Sequence, residues 1–159
     1  MLRRMLNRIF PQQFDNNYRG PKLALWLFAL LVLMKLGISL SSIFDTYNVV
    51  RSADGIPLDT FTAGGAEAVV SVTALLGLSH FLLASLGVLA LIRYRAMIPF
   101  MYVLLLVEFF AKKWIQLVNP IVRTGTPPAT YVNLVLIALL IAGLLLSLRD
   151  RSSDRATEQ

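Results

Sequence analysis

The sequence predicts an all-α integral membrane protein: a bundle of four transmembrane helices with both termini in the cytoplasm. Of its 159 residues 57% are hydrophobic and 15% charged, whereas soluble domains carry about a quarter charged residues. A soluble core of this length cannot remove so much apolar surface from water. The apolar residues fall in four runs, each long enough to cross a hydrocarbon core of about 30 Å.

The first run is "KLALWLFALLVLMKLGISLSSIF", residues 22–44, which follows Pro21 at a first-turn position. A basic approach and an apolar body also fit a signal peptide. The run is too long for one, contains Lys35 and has no small-residue cleavage site, so we expect a retained span. The single transmembrane domain, 1–159, then continues with external loop 45–65, span 66–92, cytoplasmic loop 93–96, span 97–118, external loop 119–130, span 131–148 and a disordered cytoplasmic tail, 149–159.

Basic residues predict the orientation, because cytoplasmic loops carry an excess of lysine and arginine. They precede the first span, follow the fourth and occur between the second and third, whereas the two external loops hold only Arg51 and Arg123. Both termini are therefore expected in the cytoplasm. Compact loops and the absence of an N-x-S/T sequence favour a bacterial inner membrane.

The N-terminal segment, 1–21, begins with "MLRRMLNRIF". Its apolar residues share one helical face, which predicts a short basic amphipathic helix over residues 1–10 lying on an anionic leaflet. In the alternative interpretation, the charged segment only fixes topology. The candidate membrane-surface residues are Arg3, Arg4 and Arg8.

Composition excludes several classes of function. The net charge of +6 lies beside the apolar runs and not on a soluble face, which argues against nucleic acid. The chain has no cysteine and one histidine, so we expect no metal and no cofactor. An enzyme is disfavoured, since no catalytic pair is apparent and Ser79 is adjacent to His80 on a helix.

Ionisable side chains within spans are costly and are by default candidates for a functional site. Counted from the basic residues at the cytoplasmic ends, Lys35, His80 and Glu108 each lie about 20 Å along their helices. His80 belongs to a stripe of small residues that favours close helix packing. Polar residues continue from this level outward, which predicts an outward-opening pocket. Its candidate proton- or ligand-binding residues are Lys35, Ser39, His80, Glu108, Lys112, Gln116 and Asn133.

Purely structural interpretations stay open beside this one. Glu108 and Lys112 have the i,i+4 spacing of a pair within one helix, and Lys35, Lys112 and Lys113 have stems long enough to reach the headgroups. His80 has the sequence setting of a buried hydrogen-bonding group, and the serines of the first span can bond to their own helix carbonyls.

Two functions follow from these alternatives. In the first, the pocket binds or conducts a proton, an ion or a small amphipathic ligand. Glu108 would accept the proton or cation, His80 would titrate, and Lys35 would hold the carboxylate ionised or meet an anionic headgroup. In the second, the chain is an accessory or scaffold subunit of a larger membrane complex, and the buried charges fix helix register. The expected partners are the lipid bilayer and protein partners or a homo-oligomer in the membrane.

Overall fold

The structure is a computed structural model that describes residues 6–7, 9–11, 13, 15–18 and 20–149. From residue 20 onward these residues are helical or irregular, with no strand, so the predicted all-α class is confirmed. The long helices are α1 (Lys22–Phe44), α2 (Ala63–Ile92), α3 (Ile98–Val118) and α4 (Pro128–Ser147). The connections contain an α-helical turn at Thr46–Asn48, a π-helical turn at Val49–Ala53 and 3₁₀ turns at Leu58–Thr60 and Arg95–Met97.

Three of the long helices, α1, α2 and α4, are long and apolar enough to cross a membrane. The chain is therefore of multi-pass membrane type by helix length and composition. Helix α3 differs because every window of 18 residues within it contains Glu108, Lys112 and Lys113. Three of the four predicted spans therefore correspond to helices with the length and composition of a membrane span, whereas the span predicted at α3 stays a prediction.

The four helices alternate in direction. Near the start of α3, the Tyr102 hydroxyl donates a 2.8 Å hydrogen bond to the carbonyl of Ala24 near the start of α1. Gly20, just before α1, lies beside Ser147 at the end of α4. We call this end of the bundle, which holds residues 20 and 147, the inner end. The opposite end, where α1 leads into α2 and α3 leads into α4, is the outer end.

Helices α1 and α2 pack closely because α2 presents small residues to α1. A Cβ atom at Gly77 would lie 2.8 Å from Cβ of Ser42, and one at Gly87 would lie 2.8 Å from Cγ2 of Val32. Both distances are too short for non-bonded carbon atoms, so glycine is required for this approach. Ala84, between the two glycines, is 1% exposed. The small-residue stripe of α2 is therefore the α1 contact face, the arrangement typical of membrane helices.

The main core lies in the inner half of the bundle and is organised around Tyr102. This side chain is fully buried, and its ring makes an edge contact with Phe28 at a centroid distance of 5.0 Å. A Cβ atom at Gly143 of α4 would overlap the same ring, so α4 approaches α3 closely there. Aromatic edge contacts add about 0.5–1.5 kcal/mol beyond area burial. Tyr102 thus joins α1, α3 and α4.

The two outer connections are joined at Gly55. Its backbone has a φ of +67°, a left-handed conformation that favours glycine. Its carbonyl accepts hydrogen bonds from the Thr124 amide at 2.9 Å and from the Thr124 hydroxyl at 3.2 Å. Below this contact, Val50, Ile56 and Leu58 form a small apolar cluster against α2. The α1–α2 connection is therefore folded and attached to the α3–α4 connection.

The outer end of α3 stands apart from this arrangement. Each residue from 113 to 122 is exposed. Residues 113–118 make more than one full turn of helix and so present every face, which means that the rest of the described chain buries no face of this helix end. Trp114 is 69% and Leu117 76% exposed.

Two sequence predictions fall outside the described residues. The structure does not describe the candidate membrane-surface residues Arg3, Arg4 and Arg8. It also does not describe residues 150–159, which make up most of the predicted tail. The amphipathic N-terminal helix and the disordered tail therefore stay predictions.

Candidate functional site

Four ionisable side chains from three helices meet midway along the bundle. The Lys35 ammonium of α1 donates a hydrogen bond to Oε2 of Glu108 on α3. The Lys112 Nζ atom lies 2.7 Å from Glu108 Oε1, and His80 Nε2 of α2 lies 3.3 Å from the same oxygen. Lys112 Nζ also lies 2.9 Å from His80 Nε2. We call these four residues the Glu108 cluster.

Local helix geometry explains how the cluster forms. Lys112 follows Glu108 by four residues, so the two side chains lie on one face of α3. The close α1–α2 approach brings Lys35 and His80 together at the level predicted by their distances from the basic residues at the helix ends. The sequence left open whether Glu108 faces Lys35, His80 or Lys112, and the structure places all three against the carboxylate.

The cluster lies at a boundary between a closed and an open part of the bundle. One turn toward the inner end, Leu31, Ala84 and Leu105 are each at most 2% exposed. One turn toward the outer end, Leu76 is 53% exposed and Gln116 is also exposed. Helix α1 is the exception, because it keeps packing against α2 beyond this level.

Exposure of the charged side chains follows the same boundary. The Lys35 and Glu108 side chains are 19% and 16% exposed, whereas Lys112 reaches 43%. Lys112 is therefore the member of the cluster most accessible from the outer side.

Hydrogen-bond chemistry relates the tautomer of His80 to the position of Lys112. A neutral imidazole has one donor and one acceptor nitrogen, whereas an ammonium group can only donate. With Lys112 donating to Nε2, the neutral ring carries its proton on Nδ1. If Lys112 moves away, Nε2 becomes free to carry a proton and to donate it to Glu108 Oε1. The same nitrogen therefore has two exclusive partners.

Charge is not balanced within the cluster. Two ammonium groups face one carboxylate, so with neutral His80 the formal charge of these four side chains is positive. A cation would meet His80 and Glu108 together with two ammonium groups, which disfavours metal binding here. Among the described residues, no three His, Cys, Asp or Glu side chains lie together as metal ligands.

The remaining candidate residues lie outside the cluster. Ser39 is fully buried, and its hydroxyl donates to the carbonyls of Lys35 and Leu36 in its own helix, as the structural interpretation of the serines predicts. Gln116 is exposed and Asn133 half-buried, and no hydrogen bond joins either to the cluster in the described part of the chain. Lys113 is exposed and makes no ion pair with Glu108.

Two features were not predicted from the sequence. A cavity of about 270 Å³ lies at the inner end, and Asp15, Asn17, Gly20, Pro99 and Ser147 are among its lining residues. In the outer connection, burial raises the pKa of the Asp54 carboxyl, and Arg123 nearby acts in the opposite direction. Neither feature has a sequence signal, since both depend on contacts between residues distant in the chain.

Comparison of the chain with protein-family models, with curated protein sequences and with solved structures finds no match. Any function must therefore be argued from the arrangement of its own residues.

Proposed function

We propose that this chain is a small multi-pass protein of the bacterial inner membrane, with four spans and both termini in the cytoplasm, whose Glu108 cluster binds and releases a proton. The observation that carries the proposal is the position of His80 Nε2, within 3.3 Å of Glu108 Oε1 and 2.9 Å of Lys112 Nζ.

The shared inner end supports four spans. Gly20 and Ser147 lie beside each other, so the chain enters α1 and leaves α4 at the same end of the bundle. Three crossings would leave the two ends of the chain on opposite sides of a membrane, whereas four return them to one side. Basic residues flank both ends, which favours the cytoplasm for that side.

Proton exchange follows from the competition for Nε2. When Lys112 donates to this nitrogen, the site holds no proton there. When a proton enters at Nε2, the imidazolium donates to Glu108, and Lys112 must leave the nitrogen because both groups are then donors. Lys112 has room to do so toward the open outer side. The other charged group facing His80 is Lys35 on α1, and α4 carries no acidic or basic side chain.

The experiment uses the fact that the chain has one histidine. Histidine labelled with ¹⁵N and ¹³C gives the imidazole signals of His80 alone in the purified protein. At neutral pH we expect an unprotonated Nε2 and a protonated Nδ1. In Lys112→Met, the proton of the neutral ring should move from Nδ1 to Nε2, because Glu108 then becomes the partner of Nε2.

Lys113→Met is the matched control, since it removes the neighbouring ammonium group and leaves the cluster intact; its imidazole spectrum should match that of the wild type. The spectrum is then followed from about pH 3 to about pH 9, a range wide enough to include a shifted imidazole titration. A His80 signal that stays constant over this range would overturn proton binding. An identical tautomer in wild type and Lys112→Met would refute the role of Lys112.

A second candidate function is that of an accessory subunit of a larger membrane complex. The exposed segment 113–122 favours it, because a partner helix would find every side of this segment accessible. The chain has no cysteine, so single cysteines at Lys112 and Gln116 allow labelling with a polar thiol reagent added from outside. In native membranes, protection of both that is lost on purification would favour the subunit function.

A further inference from the structure

We propose that the Glu108 cluster binds a membrane amphiphile with an anionic oxygen headgroup, a carboxylate or a phosphate, which supplies its missing negative charge. Anion binding here rests on the proposed function, namely that the cluster is a binding site and not only a structural pairing.

Charge gives the first reason. Lys35 and Lys112 both contact Glu108. Within the part of the chain that the structure describes, no second carboxylate contacts either lysine of the Glu108 cluster. An excess charge in surroundings of low polarity is costly unless it is paired. One singly charged oxyanion would bring the formal charge of the cluster, with neutral His80, to zero.

Unused donors give the second reason. An ammonium group has three N–H donors. Lys112 contacts His80 Nε2 with one N–H and forms an ion pair with Glu108 Oε1 at 2.7 Å, so at least one of its three N–H donors is left for a ligand. The Lys112 side chain is 43% exposed, so an anion can reach it without displacing Glu108. A charge-assisted hydrogen bond to an oxyanion is roughly twice as strong as a neutral one.

The approach to the cluster indicates an amphiphile and not a free small anion. One turn outward, the exposed side chain on α2 is Leu76, and the exposed Ile115 lies on the same face of α3 as Glu108. An apolar chain would pack against these side chains and remove them from contact with water or detergent. A headgroup without a chain would gain only the contact with the ammonium groups.

The experiment measures binding to the purified protein in a neutral detergent. The probes are oleate, phosphatidylglycerol in mixed micelles with the same detergent, phosphatidylcholine as a zwitterionic control, and acetate and inorganic phosphate as anions without a chain. Binding is followed by the shift of the thermal unfolding midpoint and by the imidazole signals of His80, which lies beside the proposed headgroup.

Oleate, phosphatidylglycerol or both should stabilise the protein and shift the His80 signals. Oleate alone identifies a carboxylate source, and phosphatidylglycerol alone a phospholipid source. Lys112→Met should weaken this binding by about tenfold or more, the effect of losing one charge-assisted hydrogen bond. Lys113→Met should leave it within about twofold, because Lys113 lies outside the cluster.

Three results would overturn the proposal: no binding of either amphiphile, equal binding of acetate or phosphate, or equal losses in the Lys112 and Lys113 variants. The last would indicate attraction to surface charge alone. The His80 tautomer in protein without added amphiphile reports on proton binding separately. A tautomer that depends on Lys112 in a protein that binds no amphiphile would contradict anion binding and leave the proposed function standing.

Discussion

Replacing Glu108 and Lys35 by leucine, singly and together, tests whether the Glu108 cluster holds the bundle together. Glu108→Leu leaves the Lys35 and Lys112 ammonium groups beside each other with no carboxylate between them. Lys35→Leu is milder, because Glu108 keeps Lys112 at 2.7 Å. The double replacement removes both charges and leaves Lys112, which has space to turn toward the open outer side.

The magnitudes follow from burial. Glu108 is 16% and Lys35 19% exposed, so the pair is close to the buried case. Removing one partner of a buried ion pair costs about 3–5 kcal/mol, which we expect for Glu108→Leu. For Lys35→Leu we expect about 1–3 kcal/mol, the cost of leaving a polar group incompletely paired. The double variant should lie within about 2 kcal/mol of the wild type, since replacing a buried pair by apolar side chains is often neutral.

The free energy of unfolding is measured by titration with sodium dodecyl sulfate in mixed micelles and monitored by far-ultraviolet circular dichroism. The coupling energy between the two sites, the sum of the two single losses less the loss in the double variant, should then be at least about 2 kcal/mol. Lys113→Leu serves as the control and should change the free energy by no more than about 0.5 kcal/mol. A double variant that is no more stable than Glu108→Leu would refute the pairing of Lys35 with Glu108.

Three further predictions concern packing and pH. Gly87→Ala should destabilise the bundle by about 1–3 kcal/mol, because the new Cβ atom would collide with Val32. Gly37→Ala should be neutral or stabilise the bundle by up to about 1 kcal/mol, because nothing lies within 4 Å of the new Cβ atom. Chemical unfolding of both variants measures the difference. Tyr102→Phe should cost about 0.5–1.5 kcal/mol by removing the hydrogen bond to Ala24, and an unchanged midpoint of unfolding would contradict it. Burial raises the pKa of Asp54 in the folded protein. The contribution of this group to stability is therefore fully present below its ordinary pKa of about 3.9. That contribution is lost as the pH rises through the pKa of Asp54 in the folded protein. Asp54→Asn should flatten this loss, which hydrogen exchange of the Thr124 amide reports locally through its bond to Gly55; a profile as steep as in the wild type would count against burial of the carboxyl.

The sequence predicted the helical class and the level of the charged residues for simple reasons. Apolar runs of this length are stable as helices, and the rise per helical residue converts positions along the chain into depth. It could not predict which cation faces Glu108, because depth does not fix the direction in which a side chain points. That direction depends on the close packing of α1 against α2 at Gly77 and Gly87.

Other features could not be predicted from the sequence, because lipid and protein interiors both favour apolar side chains. The exposed outer end of α3 has the apolar composition of a packed helix, so hydropathy cannot distinguish the two. Ser39 resembles a residue lining a pocket, but a buried serine in an apolar helix bonds to its own carbonyls. Tyr102 gives no sequence sign that its hydroxyl joins α3 to α1.

The exposed segment 113–122 is held at both ends. At one end, Lys112 is attached to Glu108 and His80, and at the other, Thr124 is attached to the carbonyl of Gly55. The outer end of α3 is therefore restrained through the connection that follows it. We expect an antibody or ligand that holds this connection at Thr124 to limit the movement of that helix end, beside which Lys112 would turn.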